Sequence, residues 1–330
     1  MFGVGCSMLD ALFFIFLWSV AVPARANGST DQPTVIVAVG AAGEADFGKE
    51  FEKWAEVWKE ASDQAGAKQV AVGLDPTNAT TDLTFLKQAI AGEPTDSAAE
   101  LWLVLIGHGT FDGKEAKFNL RGPDLSATEL AEWLKPFRRP VLIINCASSS
   151  SPFLNKLSAP GRVIVTATRS GSEENYARFG QYIATTIFDP TADLDKDGQT
   201  SLLEAFVMAS RRVAEFYEAE GRLATEHALL DDNGDGLGTP ADFFRGVRAV
   251  KKPAGGGIAD GLRAHQIHLV RSEQEQKMPP DLRARRNELE LALARLRELK
   301  GGLHPDEYYR RLENLMIELA SMYSNKAAGN

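Results

Sequence analysis

Two apolar runs, residues 101–106 (Leu-Trp-Leu-Val-Leu-Ile) and 141–144 (Val-Leu-Ile-Ile), constrain this chain more than any other feature in it. Neither alternates apolar with polar residues, so neither reads as a strand with one wet face. Runs of this length bounded by Gly, Pro and Ser suit strands buried on both faces of a parallel sheet. Each run delivers a residue able to do chemistry: the first leads into Gly107-His108-Gly109, the second into Asn145-Cys146-Ala147-Ser148. Side chains just past the carboxyl ends of such strands line the crevice where ligands bind. A His and a Cys brought to one sheet edge are candidates for a base and a thiolate nucleophile.

The flanking pattern supports a parallel sheet. Residues 33–39, 69–74 and 162–168 read as further strands. A helix carrying Phe47, Phe51, Trp54 and Trp58 at spacings of four, three and four follows the first strand, and a second helix over 81–90 follows the next. Strands alternating with helices predict an α/β fold with helices on both faces of the sheet. Residues 117–120 suggest a short extra strand. Ser126 with Glu129 three places on forms a capping box that opens another helix, and helical turns are expected from Phe153 and over 173–188.

Residues 1–26 differ from the rest. An apolar run over 11–22 precedes Ala24-Arg25-Ala26, a small-x-small cleavage site, so a secretory signal peptide is expected, with the mature chain beginning at Asn27. Asp10 and the lack of Lys or Arg ahead of the run leave an uncleaved anchor as the alternative. The run is short for a membrane span of about 20 residues, so no stable membrane insertion is expected after cleavage. Export to a periplasm or the exterior follows. Cys6 would leave with the signal peptide, which makes Cys146 a lone thiol, either reactive or simply buried. The net charge of −9 argues against nucleic acid as a partner and makes cations the likelier small partners.

A cation loop is written between 193 and 204. Asp193, Asp195, Asp197 and Ser201 supply oxygens at positions 1, 3, 5 and 9. Gln199 offers its carbonyl at position 7, Gly198 makes the sharp turn, and Glu204 stands at position 12. This is the EF-hand calcium pattern. A weaker copy uses Asp231, Asn233, Asp235, Leu237 (by its carbonyl), Thr239 and Asp242. Its twelfth residue is a shorter acid, and Pro240 interrupts the usual helix start. Beyond residue 250, a Lys, Pro and Gly-rich break begins a linker over 251–278. Leu282, Leu289, Leu293, Leu296 and Leu299 then form one helical stripe and Tyr309, Leu312, Leu315, Met316, Leu319 and Met322 another, which predicts a helical hairpin over 279–330. Its charged remainder is a solvated face or the surface for a protein partner.

At His108-Gly109 and at the strand ending in Cys146, the chain resembles the caspase-like clan of cysteine peptidases and, more closely, the legumain family. The likeness spans roughly residues 33–250 and includes the following strand at 162–168. It implies a caspase-like parallel sheet, a peptide or protein substrate, a His108/Cys146 dyad, and an oxyanion held by the N–H groups of Gly109 and Cys146. The loop after the 162–168 strand would line the primary pocket with Arg169, Ser170, Glu173 and Glu174; the Arg favours an acidic or amide substrate side chain, the two Glu a basic one.

The chain also departs from that family. The family places an acidic or amide residue, then Ala, then Cys; here Cys146 follows Asn145 directly and Ala147 comes after. Strict alignment puts Ala147, or with a gap Ser148, at the nucleophile's place, and a one-residue shift on a strand turns a side chain to the other face. Two roles compete: an exported cysteine endopeptidase with calcium-binding loops, or a catalytically inactive caspase-fold binding or scaffold protein stabilised by calcium.

Overall fold

The computed structural model describes residues 32–75, 80–253 and 259–327. The expected signal peptide lies outside the described residues. In chain order the elements are β1 (Thr34–Val39), α1 (Ala45–Gln64), β2 (Lys68–Val72), α2 (Asp82–Ala91), β3 (Leu101–Ile106), β4 (Gly109–Phe111), β5 (Ala116–Phe118), β6 (Leu125–Ser126) and α3 (Ala127–Leu134). There follow β7 (Val141–Asn145), α4 (Ser151–Leu157), β8 (Arg162–Thr166), α5 (Phe179–Thr186), α6 (Leu202–Ala219), β9 (Leu229–Asp231), β10 (Thr239–Pro240), β11 (Phe244–Arg245) and β12 (Arg248–Ala249). The last four are α7 (Leu262–His265), α8 (Glu273–Gln276), α9 (Pro280–Glu298) and α10 (Pro305–Ala327).

The fold is α/β. Its main sheet runs β10-β9-β8-β7-β3-β1-β2, with the five strands from β8 to β2 parallel and β9 and β10 added antiparallel at one edge. The two apolar runs are neighbours, Leu101 facing Val141 and Leu105 facing Asn145. Because side chains alternate along a strand, each run feeds both faces. Trp102, Val104 and Ile106 pack with Leu142 and Ile144 beneath α1, α5 and α6; Leu101, Leu103 and Leu105 pack with Val141 and Ile143 beneath α2, α3 and α4. The aromatic stripe of α1 is core: Phe51, Trp54 and Trp58 are buried on the first of these faces. The Ser126–Glu129 capping box opens α3 as its spacing predicts.

Two segments differ from expectation. The helix expected from residue 173 starts only at Phe179, because the buried Glu226 carboxylate accepts the N–H groups of Arg178 and Phe179 and fixes the helix start there. Described residues of the expected linker carry α7 and α8 and are bonded to the domain. Asp232 Oδ2 accepts N–H groups of Gly261, Arg263 and Ala264, and Arg271 forks onto Glu100 at 2.6 and 2.9 Å. Beyond it α9 and α10 form the helical hairpin.

Candidate active site and cation loops

From β1 the chain runs outward to β2 and returns to β3 on the other side of β1, so the loops after β1 and β3 diverge at a switch point. His108 stands there, half-buried. Its Nε2 lies 3.1 Å from the Ala42 carbonyl, and its ring sits edge-on to Phe47 and Phe51 with centroids at 5.1 and 5.3 Å, Tyr176 completing the enclosure at 6.1 Å. Gly109 follows and touches the turn after β7. A Cβ on Gly109 would come within 2.3 Å of the Ser148 carbonyl oxygen, so only Gly permits this approach. The Ser148 hydroxyl is 3.2 Å from the Gly109 N–H, which donates to it, and itself donates to the Gly109 carbonyl at 3.0 Å.

Cys146 is not at this crevice, and its assignment as nucleophile is corrected. The strand alternation runs on through it: Leu142, Ile144 and Cys146 share the face covered by α1 and α5. The turn comes later, where Asn145 Oδ1 accepts the Ala147 N–H at 3.1 Å and Ser149 adopts φ +51°. Cys146 is fully buried beside Gly180, where an added Cβ would meet Cys146 Cβ at 2.8 Å and the Trp54 ring at 2.7 Å. Burial, then the negative charge of Glu226, pushes its pKa far above the ordinary thiol value. Its backbone N–H, expected at the oxyanion, donates instead to the Leu105 carbonyl at 2.9 Å. The Gly109 N–H, the other expected oxyanion donor, is engaged by Ser148.

Ser148 stands where the nucleophile was expected with a gap, yet it is 3% exposed. The expected pocket loop closes over this turn. Glu173 uses its carbonyl to accept the Ser149 N–H and its carboxylate to accept the Arg169 N–H and hold His227 Nδ1 at 2.6 Å. Ser170 bonds Ser172, the Arg169 side chain is mostly exposed, and Glu174 is exposed. The four residues are thus spread over a surface loop tied back on itself, with no common cavity wall evident in these contacts.

The first loop gathers carboxylate oxygens at the expected positions. Ligand atoms of Asp193, Asp195 and Asp197 lie within 4.8 Å of one another. Glu204 spans the loop: Oε1 accepts the N–H groups of Leu194 and Asp195, and Oε2 those of the Ser201 backbone and hydroxyl, so this carboxylate stands against the loop while capping α6. Such oxygen-only sets suit a hard cation.

The second loop is completed differently from expectation. Asp231 Oδ2 accepts the Gly236 N–H as Asp193 Oδ2 accepts that of Gly198. Asp242 turns away; its side chain is 66% exposed and pairs with Lys251. Pro240 ends β10 and caps a single 3-10 turn over Ala241–Phe243, which holds Asp242 at the surface in place of the usual α-helix start. Asp260 makes the contacts in this loop that Glu204 makes in the first. Its Oδ1 accepts the N–H groups of Asp232 and Asn233 at 3.0 and 3.2 Å, and its Oδ2 accepts the Thr239 hydroxyl at 2.6 Å. These are positions 2, 3 and 9, the positions Glu204 bonds in the first loop. No local spacing rule reaches Asp260, because it lies outside the twelve-residue window. Burial, with the Asp232 and Asp231 charges beside it, raises its pKa to about 7.

Near the first loop, His265, His268, Glu275 and Arg286 line one cleft with Asp195, Asp197 and Gln199. His268 is buried, and burial pushes its pKa down to about 4. A His with a depressed folded pKa contributes nothing adverse above its unfolded value of about 6.5 and costs stability progressively as pH falls towards 4. The expected loss is about 2 kcal/mol at pH 5 relative to pH 7. Urea unfolding of the wild type and His268→Gln at the two pH values measures it; equal pH slopes in both proteins would remove His268 as the cause.

Comparison with known proteins gives no matching family model and no matching curated protein. Among solved structures the chain is similar to the Drosophila initiator caspase Dronc, at 14% identity and TM-score 0.37 over 62% of this chain and 80% of that one. Caspase-1 from Spodoptera frugiperda is similar at 10% identity and TM-score 0.37, over 61% of this chain and 87% of that one. Protein GSU0716 from Geobacter sulfurreducens is similar at 13% identity and TM-score 0.36, over 55% and 89%. The finer likeness to legumains gains no support from these.

Proposed function

We propose that this chain is a catalytically silent, calcium-stabilised binding or scaffold module on a caspase-like arrangement of strands, exported to a calcium-containing compartment. One observation carries the reading: the single thiol of the strand that should deliver the nucleophile is sealed in the core, and burial disfavours its thiolate. General-base activation requires the nucleophile and base within hydrogen-bond reach, and the thiolate is the reactive form. The Ala42 carbonyl holds His108 by Nε2 alone, whereas the Ser148 hydroxyl is engaged by both the Gly109 N–H and carbonyl. Binding then falls to surfaces away from the crevice, and the outer side of α10 offers Tyr309, Met316 and Ile317, each about half exposed or more.

The calcium part of the reading is tested on the protein lacking residues 1–26. Calorimetric titration with calcium chloride is expected to show two sites, each with a dissociation constant on the order of 0.1 to 1 mM, the range of extracellular modules. Asp260→Asn should weaken one site at least tenfold and Asp242→Asn should leave both intact. The reverse pattern would return the twelfth role to Asp242. The silent part is tested by a peptide library with and without calcium. Turnover that Ser148→Ala abolishes would replace this reading by a serine-dependent hydrolase.

A further inference from the structure

The first cation loop is gripped from outside by the segment that joins the domain to its C-terminal helices. His265 Nε2 lies 2.9 Å from Asp195 Oδ2, at loop position 3. The Ser272 N–H donates to the side-chain Oε1 of Gln199, at position 7, at 3.0 Å. Leu202, the first residue of α6, donates its N–H to the Ile267 carbonyl at 2.8 Å. Three points of contact thus span both the loop and the helix it opens.

We propose that cation binding at the first loop and docking of residues 261–272 are coupled, so that calcium clasps the C-terminal helices to the domain. This rests on the reading of the loop as a calcium site. The physical basis is twofold. Asp193, Asp195 and Asp197 gather negative charge within a few ångströms, and a bound cation would relieve the repulsion that otherwise spreads them. A partner on the outer oxygen of a ligating carboxylate fixes its direction, as His265 does for Asp195, and loss of such a partner typically costs ten- to a hundredfold in metal affinity. Linkage makes the effect reciprocal: whatever the docked segment adds to calcium affinity, calcium adds to docking.

The test uses the protein lacking residues 1–26 and calcium chloride alone, at pH 7.5. His265→Ala, at a part-exposed position, is expected to weaken the first site about tenfold, and His265→Gln, which keeps a donor, to restore most of it. Calcium at ten times its dissociation constant should slow tryptic cleavage after Arg263 and Arg271 by about tenfold. In Asp193→Asn that protection should vanish. No calcium heat in the wild type would overturn both the loop reading and the coupling. Wild-type binding with unchanged affinity in His265→Ala and no protection from trypsin would overturn the coupling alone.

Discussion

Native protein treated with iodoacetamide between pH 6 and pH 8 should leave Cys146 unmodified, while the same protein in denaturing guanidinium chloride should label to completion. Two independent effects set the size of the difference. Cys146 is fully buried in the core beneath α1 and α5, so reagent reaches it only through opening, and opening of a buried core strand approaches the cost of global unfolding. With stabilities of about 5 to 15 kcal/mol, labelling should slow by at least about a thousandfold. The raised pKa removes the thiolate as well. A catalytic thiol paired with His108 would behave in the opposite way and alkylate near pH 6, well below an ordinary thiol pKa of about 8.5. Stoichiometric labelling of the native protein at pH 6 would falsify the silent-module reading and restore Cys146 to the site.

The sequence carried the reason for this outcome. Leu142, Ile144 and Cys146 share a period of two, and that period alone assigns the thiol to the face of Trp102 and Val104. Alternation continues through Ala147, which packs on the opposite face, and the chain turns only after that, with Ser149 at φ +51°. The five parallel strands were legible because apolar runs bounded by breakers and alternating with helices leave few other folds. The helix from 173 was not, because its start is fixed by Glu226, forty-odd residues on. The same holds for Asp260 and for the segment after it: a Gly-rich stretch reads as a linker until Asp232 collects three of its backbone N–H groups. Local patterns found the five parallel strands; contacts distant in sequence decided how the loops beyond them are held.

Arg139→Ala should cost about 3 to 5 kcal/mol of stability, the largest expected effect of any single substitution away from the apolar core. Arg139 lies just ahead of β7, its side chain 1% exposed, at the sheet edge opposite the crevice. Its Nε donates to the Ala99 carbonyl at 2.8 Å, its Nη2 to the Glu100 carbonyl at 2.9 Å and its Nη1 to Glu93 at 3.3 Å, closing the amino ends of β3 and β7. Glu93 is buried too and also takes Thr34 Oγ1 and Lys68 Nζ, both at 2.7 Å. Burial would raise the Glu93 pKa, but these bonds and the charges of Lys68 and Arg139 outweigh it and hold the carboxylate below its ordinary value. Removing Arg139 takes its donor from the Ala99 carbonyl, leaves the Glu100 carbonyl with the Thr34 N–H, and leaves a buried carboxylate short of one partner. A depressed carboxylate stabilises above its unfolded pKa and loses that contribution as pH falls through the folded one, so the deficit of Arg139→Ala should be full at pH 7 and shrink below about pH 4. The double variant Arg139→Met with Glu93→Leu should recover part of the loss, since exchanging both partners for apolar groups costs less than orphaning one. Denaturant midpoints of wild type, Arg139→Met, Glu93→Leu and the double variant measure the cycle, with Arg139→Ala alongside; a loss in Arg139→Ala under about 1 kcal/mol would mean that water reaches the network and that the amino edge of the sheet is held by strand pairing alone.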